Sequence, residues 1–479
     1  MSEIVWDSLK AWWPELIVSV GALLVVLLGV WTKRTQPAIG ATWFTLFGGG
    51  AALWFAPAPT STSLFFGLIV ADPLSLVFRW LALGTTALVV LMVMSSDEQT
   101  NTLRGEYLGL LLFITVGLML MAEASHLLMA YVAMELVSLS AYILVGLLPD
   151  KRSAEAALKY LLFGAFSSGL MLYGMSLLFG LTGSLGFRDI LQASGNLSGG
   201  ATGLLAVAVT LMLAGLAFKI SMVPFHMWTP DAYEGAPIPV TALLSVGPKA
   251  AGLALVLRIT EALAPAWSTV GPLLGGLTVI TMTLGNLVAL SQTNVKRLFA
   301  YSTIGQVGYL LIGLSVHTPK GVEALLLYLV AYLFMNLGAF ACIVAVVNDT
   351  HNETLEAFRG LSKRSPVLAL LCTLFLLSLA GIPPLLGFFG KFLLFGSAIE
   401  SGHLWLAVAG IINSAIALYY YVNLIRLMYL IAPDRVQPLR PTGALRLAIG
   451  LCGAATLLLG LFPGALLARL GASVVVNLL

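Results

Sequence analysis

The chain is 479 residues long, 59% hydrophobic and 9% charged, where an ordinary soluble domain carries about 25% charged residues. So little polar surface cannot cover a globule in water, which excludes a soluble enzyme, a disordered chain and a nucleic-acid binder. The net charge of +3 implies no acidic partner, and 48 Gly with 10 Trp and 14 Tyr suit a helical membrane protein.

A helix needs roughly 20 apolar residues to cross the bilayer core. In chain order, apolar runs fall near 14–31, 38–56, 72–95, 106–122, 126–148, 155–181, 202–228, 237–260, 268–290, 298–316, 322–347, 366–398, 403–430 and 444–470. They predict an all-α integral membrane protein of about fourteen spans. Long unbroken runs exclude a β-barrel, whose strands alternate. The first run has Glu15 at its head and neither a basic leader nor a small-residue cleavage site, so a retained helix is expected. Cys342, Cys372 and Cys452 stand singly in apolar runs. Their spacing offers no disulfide frame, iron–sulfur cluster or zinc site.

Loop Lys and Arg set the orientation. One side holds Lys33, Arg34, Arg104, Lys151, Arg152, Lys296, Arg297, Arg359, Lys363, Arg364, Arg435 and Arg440. The other holds Lys10, Arg188, Arg258, Lys320 and Arg469. Twelve against five puts the first set in the cytoplasm and both termini outside. The charges from Arg359 to Arg364 read as a solvated loop, with a short interfacial helix around Leu355, Phe358 and Leu361.

The chain also resembles itself. AYILVGL at Ala141–Leu147 matches GYLLIGL at Gly308–Leu314, offset by 167 residues. EAALKYL at Glu155–Leu161 matches EALLLYL at Glu323–Leu329, offset by 168, and LMLAG at Leu211–Gly215 matches LSLAG at Leu377–Gly381, offset by 166. That offset spans five runs. An odd number inverts the second copy, which is a transporter architecture. The expected division is a three-helix region at 1–105, a first five-helix repeat at 106–262 (spans four to eight), a second at 263–432 (spans nine to thirteen), and a loop with one span at 433–479. Spans seven and twelve are predicted to break, at Pro224 and Pro230 and at Pro383 and Pro384. Proline frees a carbonyl, and such a break persists in a membrane only where protein or a wet cavity satisfies it.

Charges inside the spans cost on the order of 3 kcal/mol each on insertion scales. Glu135, Lys159, Lys219, Lys249, Lys391 and Arg79 carry that cost. Burial weakens a lysine's hold on its proton and a nearby carboxylate strengthens it. Arginine stays charged, so lysine at core positions favours proton chemistry. Glu135, Lys219, Lys249 and Lys391 are the candidate relay. His226, two turns after Lys219 if that helix continues, is a secondary candidate, the plainer reading being packing. Lys159 is another, the plainer reading being a snorkelling side chain. Arg79 reads as structural. Asp231 and Glu234 read as loop residues, the alternative being a gating part. Ser302, Gln306 and Tyr309, then Tyr328, Tyr332 and Asn336, then Asn413 and Tyr420, recur at helical spacing. Each set is either interhelical glue or a hydrated path.

MELVSLSAYILVGLLPD around Glu135, FKISMVPFHMWTPDAYEGAPIPVTALLSVGPKAAGLALVLR, NVKRLFAYSTIGQVGYLLIGL and AGIPPLLGFFGKF resemble the antiporter-like subunits of respiratory complex I. The likeness runs over about residues 70–430. The chain lacks the long lateral helix of the L type and has Lys391 where the M type usually has Glu, so the N type fits best. The resemblance implies fourteen helices with two inverted five-helix repeats, and proton translocation as a subunit of NADH:quinone oxidoreductase. It implies Glu135 and Lys219 as a charged pair, Lys249 as connecting lysine and Lys391 in the outer half-channel. It also implies no cofactor on this chain, with flavin, iron–sulfur clusters and quinone on other subunits. The implied partners are other membrane subunits, including neighbouring antiporter-like ones, in a bacterial cytoplasmic (inner) membrane. A subunit of a multi-subunit Na⁺/H⁺ antiporter or membrane-bound hydrogenase shares the same motifs. A stand-alone transporter and a scaffold without transport are the remaining alternatives.

Overall fold

A computed structural model describes residues 2–32, 35–56, 62–97, 104–195, 197, 200–433 and 437–474. Lys33, Arg34 and Arg435 of the charge asymmetry lie outside the described residues. A short helix α1 (Ser2–Ala11) leads into α2 (Trp13–Thr32) and α3 (Thr35–Phe55). A small hairpin, β1 (Thr62–Leu64) and β2 (Ile69–Ala71), pairs antiparallel with Leu64 opposite Ile69. Then come α4 (Pro73–Val93), α5 (Arg104–Glu123), α6 (Leu127–Val145), α7 (Lys151–Thr182), the short α8 (Phe187–Ser194) and α9 (Gly200–Ile220). After these follow α10 (Trp228–Gly235), α11 (Ile238–Ala262), α12 (Trp267–Ala289), α13 (Val295–Ser315) and α14 (Pro319–Thr350). The chain continues through α15 (Leu361–Arg364), α16 (Pro366–Ala380), α17 (Leu386–Glu400), α18 (Leu404–Leu430), α19 (Gly443–Leu461) and α20 (Gly464–Val474).

Thirteen of these helices, among the described residues, are long and apolar enough to cross a membrane. The remaining predicted span, 366–398, is two short helices, α16 and α17, joined at a break. The protein is a multi-pass helical membrane protein. Every residue of α11 but Glu261 is buried, so this helix lies in the interior of the bundle. Helices α13 and α14 are nearly as buried, while α2, α3, α7 and α18 present most of their surface outward.

Helices α7 and α14 are each 32 residues long. Each is capped at its start by a side chain, Asp150 onto the Ser153 amide and Thr318 onto the Gly321 amide. Each is closed by a left-handed residue, Gly183 or His351.

The two breaks share a local build. At the first, Ser221 has φ +64°, the Met222 amide donates back to the Ala217 carbonyl at 2.8 Å, and the Val223–Pro224 bond is cis. At the second, Gly381 has φ +92°, the Ile382 amide donates to the Leu377 carbonyl at 3.0 Å, and Pro383–Pro384 is cis. The six-to-one bond is the Schellman closure of a helix end. The LMLAG–LSLAG match does not register these breaks: Leu211–Gly215 stops short of Ser221, whereas Leu377–Gly381 ends on the break itself. Short apolar matches slide easily along a helix.

Side chains satisfy the freed backbone, as a break at membrane depth requires. Thr281 of α12 accepts from the Val223 amide at 3.1 Å and Trp228 Nε1 donates to the Phe218 carbonyl at 3.0 Å. At the second break Gln306 donates to the Leu379 carbonyl at 3.2 Å, and Ser378 Oγ accepts from the Gly387 amide at 3.1 Å.

Candidate functional site

Lys219, Lys249 and Lys391 are buried to 3% exposure or less. Among the described residues, none of the three forms an ion pair with a carboxylate. Each instead meets a neutral group that leans negative. Lys219 lies in the last turn of α9, whose carbonyl end carries the negative pole of the helix. Its Nζ donates to Ser138 Oγ at 2.9 Å and to the Met134 carbonyl at 3.3 Å, both on α6. Lys391 donates across the break to the Ala380 carbonyl at the end of α16, at 3.2 Å, and to Ser414 Oγ of α18 at 3.3 Å. Its Nζ also stands 4.2 Å from the centre of the Tyr309 ring. Lys249 makes no hydrogen bond and rests over two aromatic faces of α10, Trp228 at 4.6 Å and Tyr233 at 5.2 Å.

The helix break builds the Lys249 site. Interrupting α9 frees α10 to lie beneath α11, where Trp228 stacks on Tyr160 with centroids 4.1 Å apart. Glycine at 252 lets α9 close on α11, since a Cβ there would stand 2.5 Å from Ile220 Cγ2 and 3.7 Å from Lys219 Cγ. Lys219 and Lys249 are thus brought to neighbouring turns of one helix contact.

Glu135 is half-buried on α6 and accepts a hydrogen bond from Ser168 Oγ of α7. The expected charged pair with Lys219 is not formed in this arrangement. Lys219 instead holds the α6 groups on either side of Glu135.

The polar sets on spans ten, eleven and thirteen meet. Asn336 donates to Ser245 of α11 at 2.6 Å, and Tyr332 donates to Thr303 at 2.9 Å. Tyr328 donates to Gln306, and Gln306 donates to Tyr421 at 3.1 Å. Tyr421 also pairs with Ser302 at 2.6 Å. Asn286 joins Tyr309 at 2.9 Å, Tyr420 at 3.1 Å and Asn413 at 3.3 Å. These buried groups begin at Ser245, one turn from Lys249 on α11, and end at Tyr309, whose ring faces Lys391; Asn336–Ser245 and Tyr332–Thr303 are separate pairs beside the Gln306 and Asn286 groups.

The secondary candidates sit elsewhere. The helix does not continue past Ser221, so the two-turn spacing no longer places His226 on the face of Lys219. His226 is buried in the turn before α10, with Nδ1 unbonded. Lys159 is 42% exposed and pairs with Glu155 at 2.7 Å and Asp231 at 2.9 Å, so it lies outside the buried set. Asp231 and Glu234 belong to α10 and are not loop residues. Arg297 bridges them at 2.9 and 2.7 Å, and Arg152 joins Glu234 at 2.9 Å to Glu353 at 3.0 Å. Lys296, expected as a solvated loop charge, is buried and pairs with Glu353 at 2.5 Å. Burial alone would raise the Glu353 carboxyl, but Lys296 and Arg152 outweigh it and hold it below the ordinary carboxylate range. Burial is likewise outweighed at Asp231 by Lys159 and Arg297.

One buried cluster escaped the sequence reading. Arg79, expected as a structural charge, clamps Glu15 with Nε and Nη2 at 2.6 Å each and meets Glu123 at 3.0 Å. Arg258, counted as a loop charge, is fully buried in α11 and pairs with Asp72 at 2.8 Å. Removing it from the loop count only sharpens the charge asymmetry. The signal was topological: Glu15, Asp72, Glu123 and Arg258 all fall near span ends on one side of the membrane.

The family described as "NADH:quinone oxidoreductase/Mrp antiporter, TM" matches residues 124–417. The chain belongs to that family. Over 95% of its own length and 95% of the relative's, it is 42% identical to NADH-quinone oxidoreductase subunit N 2 of Sorangium cellulosum. It is 43% identical to NAD(P)H-quinone oxidoreductase subunit 2 of Gloeobacter violaceus, covering 88% of this chain and 82% of that one. Among solved structures it superposes on a chain of respiratory complex I from Thermus thermophilus with TM-score 0.81 and 34% identity, covering 95% and 99% of the two chains. The N-type likeness read from the motifs is therefore shown. In this antiporter-like family the match spans α6 to α18 and takes in Glu135, Lys219, Lys249 and Lys391.

Proposed function

We propose that this chain is a proton-translocating membrane-arm subunit of an NADH:quinone oxidoreductase, driven by quinone reduction on other subunits. The observation that carries the reading is a contrast within one bundle. The buried arginines Arg79 and Arg258 have carboxylate partners, and so does buried Lys296 at the head of α13, whereas the lysines inside the spans, Lys219, Lys249 and Lys391, have none among the described residues. A buried, permanently charged group needs a counter-charge. A lysine held by dipoles and ring faces is free to be charged or neutral, which is what a proton carrier requires.

Proton transfer is proposed to run from Lys219 to Lys249 and, by way of the Ser245–Asn336 pair and the Gln306–Tyr421 and Asn286–Tyr309 groups, to Lys391. Glu135 sets the first step. Turned toward Lys219 it favours the charged lysine; turned away, as on Ser168, it releases that hold. An ion pair changing partner shifts a proton affinity by about 1–3 units. One unit is about 1.4 kcal/mol, enough to drive a relay step.

Glu135 supports a neighbouring membrane subunit on the α6 face. It stands in a stripe of exposed Leu128, Val132, Leu139 and Ile143. Lipid alone would leave that carboxylate costly, whereas another antiporter-like subunit could offer it a cation. Flavin, iron–sulfur clusters and quinone are assigned to other subunits, and no nucleic acid is involved. The inverted repeat is supported by the paired breaks and paired long helices. The charge asymmetry supports both termini lying outside the cytoplasm, and the likeness to bacterial subunits supports a bacterial inner membrane.

The test uses inverted native membrane vesicles given NADH. Lys249→Met is expected to leave the complex assembled on a native gel while quinone reduction and acidification both fall. If NADH has no effect in wild type and a Na⁺ pulse drives proton exchange instead, the Na⁺/H⁺ antiporter reading replaces this one.

A further inference from the structure

The buried charges at the other end of the bundle do not balance. Glu15 of α2, Glu123 of α5 and Asp72, which caps α4, face Arg79 of α4 and Arg258 of α11. All five are at most 3% exposed. Among the described residues, three carboxylates against two guanidiniums leave one negative charge in a site with almost no solvent, and an uncompensated buried charge is strongly disfavoured. The bonds are also unequal. Glu15 takes both arms of the Arg79 fork, and Asp72 takes the Arg258 Nη2 and the Ser75 amide at 2.7 Å. Glu123 meets Arg79 at Nε, which is already committed to Glu15, and neither buried Glu123 oxygen has a hydrogen-bond partner.

We propose that this cluster binds one exchangeable proton, carried by Glu123 and shared toward Glu15, as a second proton-holding site apart from the lysine path. A water-borne proton adds to a Glu123 oxygen, forming one O–H bond and leaving water; release reverses the step. The protonated carboxyl becomes the donor that Glu123 otherwise lacks, and it returns the cluster to neutrality.

A cavity reaches the edge of the cluster at Arg258. It has a volume of about 350 Å³ and is lined by Ser125, His126, Ser184, Asp189 and Arg258. Arg258 reaches on from there, Nε to the Ala122 carbonyl at 2.8 Å and Nη2 to Asp72. The other titratable or charged group at the cavity wall is Arg188. The cavity opens beside the start of α6 and the end of α7, the same side of the bundle as the head of α2. The charge count does not depend on the lysine relay, so the failure of either leaves the other standing.

Infrared difference spectroscopy of the purified complex, acidified and made alkaline in H₂O and in D₂O, tests the proposal. Wild type is expected to show a buried protonated-carboxyl C=O band that shifts in D₂O. Charge balance predicts that Glu123→Gln and Glu15→Gln each abolish it, because removing either carboxylate makes the count two against two. Asp189→Asn, on the cavity wall, should keep it. A wild type without such a band, or a band that survives in both glutamine variants, overturns the proposal. The wild-type measurement stands alone if a variant fails to assemble.

Discussion

Lys219 Nζ bonds Ser138 Oγ at 2.9 Å and leaves Glu135, three residues earlier on α6, to Ser168. The lysine and the carboxylate thus share a helix face without sharing a proton, and Ser138 is the group through which α6 holds the lysine. Removing a buried hydrogen-bond partner costs about 1–3 kcal/mol. Ser138→Ala is therefore expected to slow NADH-driven acidification of vesicles by roughly tenfold, with Ser138→Thr retaining most of it. Glu135→Gln should give a loss at least as large. Unchanged pumping in Glu135→Gln would remove the switch from the mechanism.

Lys249 depends on rings rather than on hydrogen bonds. A desolvated cation–π contact is worth about 2 kcal/mol, and tryptophan is the best partner. Trp228 also satisfies the Phe218 carbonyl at the break. Trp228→Leu should lower both the thermal stability of the subunit and the rate of proton transfer. Tyr233→Phe keeps the ring face and is expected to leave acidification near wild type. Equal losses in the two variants would show that the rings do not hold the lysine.

Gly381 has φ +92°, and a Cβ there would stand 3.0 Å from Lys391 Cδ. A left-handed alanine costs on the order of 1–3 kcal/mol, and the methyl group would push Lys391 from the Ala380 carbonyl. Gly381→Ala should lower the unfolding temperature and cut activity. Gly396→Ala on α17, where the added methyl meets open space, should be neutral or slightly stabilising. The pair is compared in a thermal-shift assay on the detergent-solubilised complex.

The ion-pair network joining α7, α10 and α13 to the loop before α15 gives a pH signature. Glu353 and Asp231 are held below the ordinary carboxylate range when folded. For a depressed acid, the stabilisation is fully present above the unfolded value, near 4, and is lost as pH falls through the folded value. Stability should be level around neutrality with respect to these groups and decline on acidification below about pH 4. Glu353→Gln should be less stable at neutral pH and show a shallower acid decline. An unaltered acid limb would exclude Glu353 from the network's contribution.

The spans were legible because a bilayer leaves few options: each apolar run near the required length became a helix, and the prolines at 224 and 383–384 marked both breaks. The burial of Lys219, Lys249 and Lys391 within the spans was legible because a cation within an apolar run is conspicuous whatever its surroundings. Partners were not. Trp228 and Tyr233 look like ordinary membrane aromatics until the break turns α10 beneath Lys249. Arg258 looked like a loop charge because it lies close to a span end, and its carboxylate partner comes from the cap of α4, far away in sequence. His226 was misplaced for a local reason, a helix assumed to run through a residue, Ser221, that ends it. The Glu135–Lys219 pair was drawn from resemblance, and side chains that can exchange partners need not be found in the paired state.

The central claim is that Lys219, Lys249 and Lys391 act by gaining and losing a proton rather than by carrying a fixed charge. Lys219→Arg separates the two, since arginine preserves the charge and does not release it. In inverted vesicles with assembly checked on a native gel, Lys219→Arg should fail as fully as Lys219→Ala in both NADH-driven quinone reduction and acidification. An assembled Lys219→Arg complex that pumps at the wild-type rate would contradict the account.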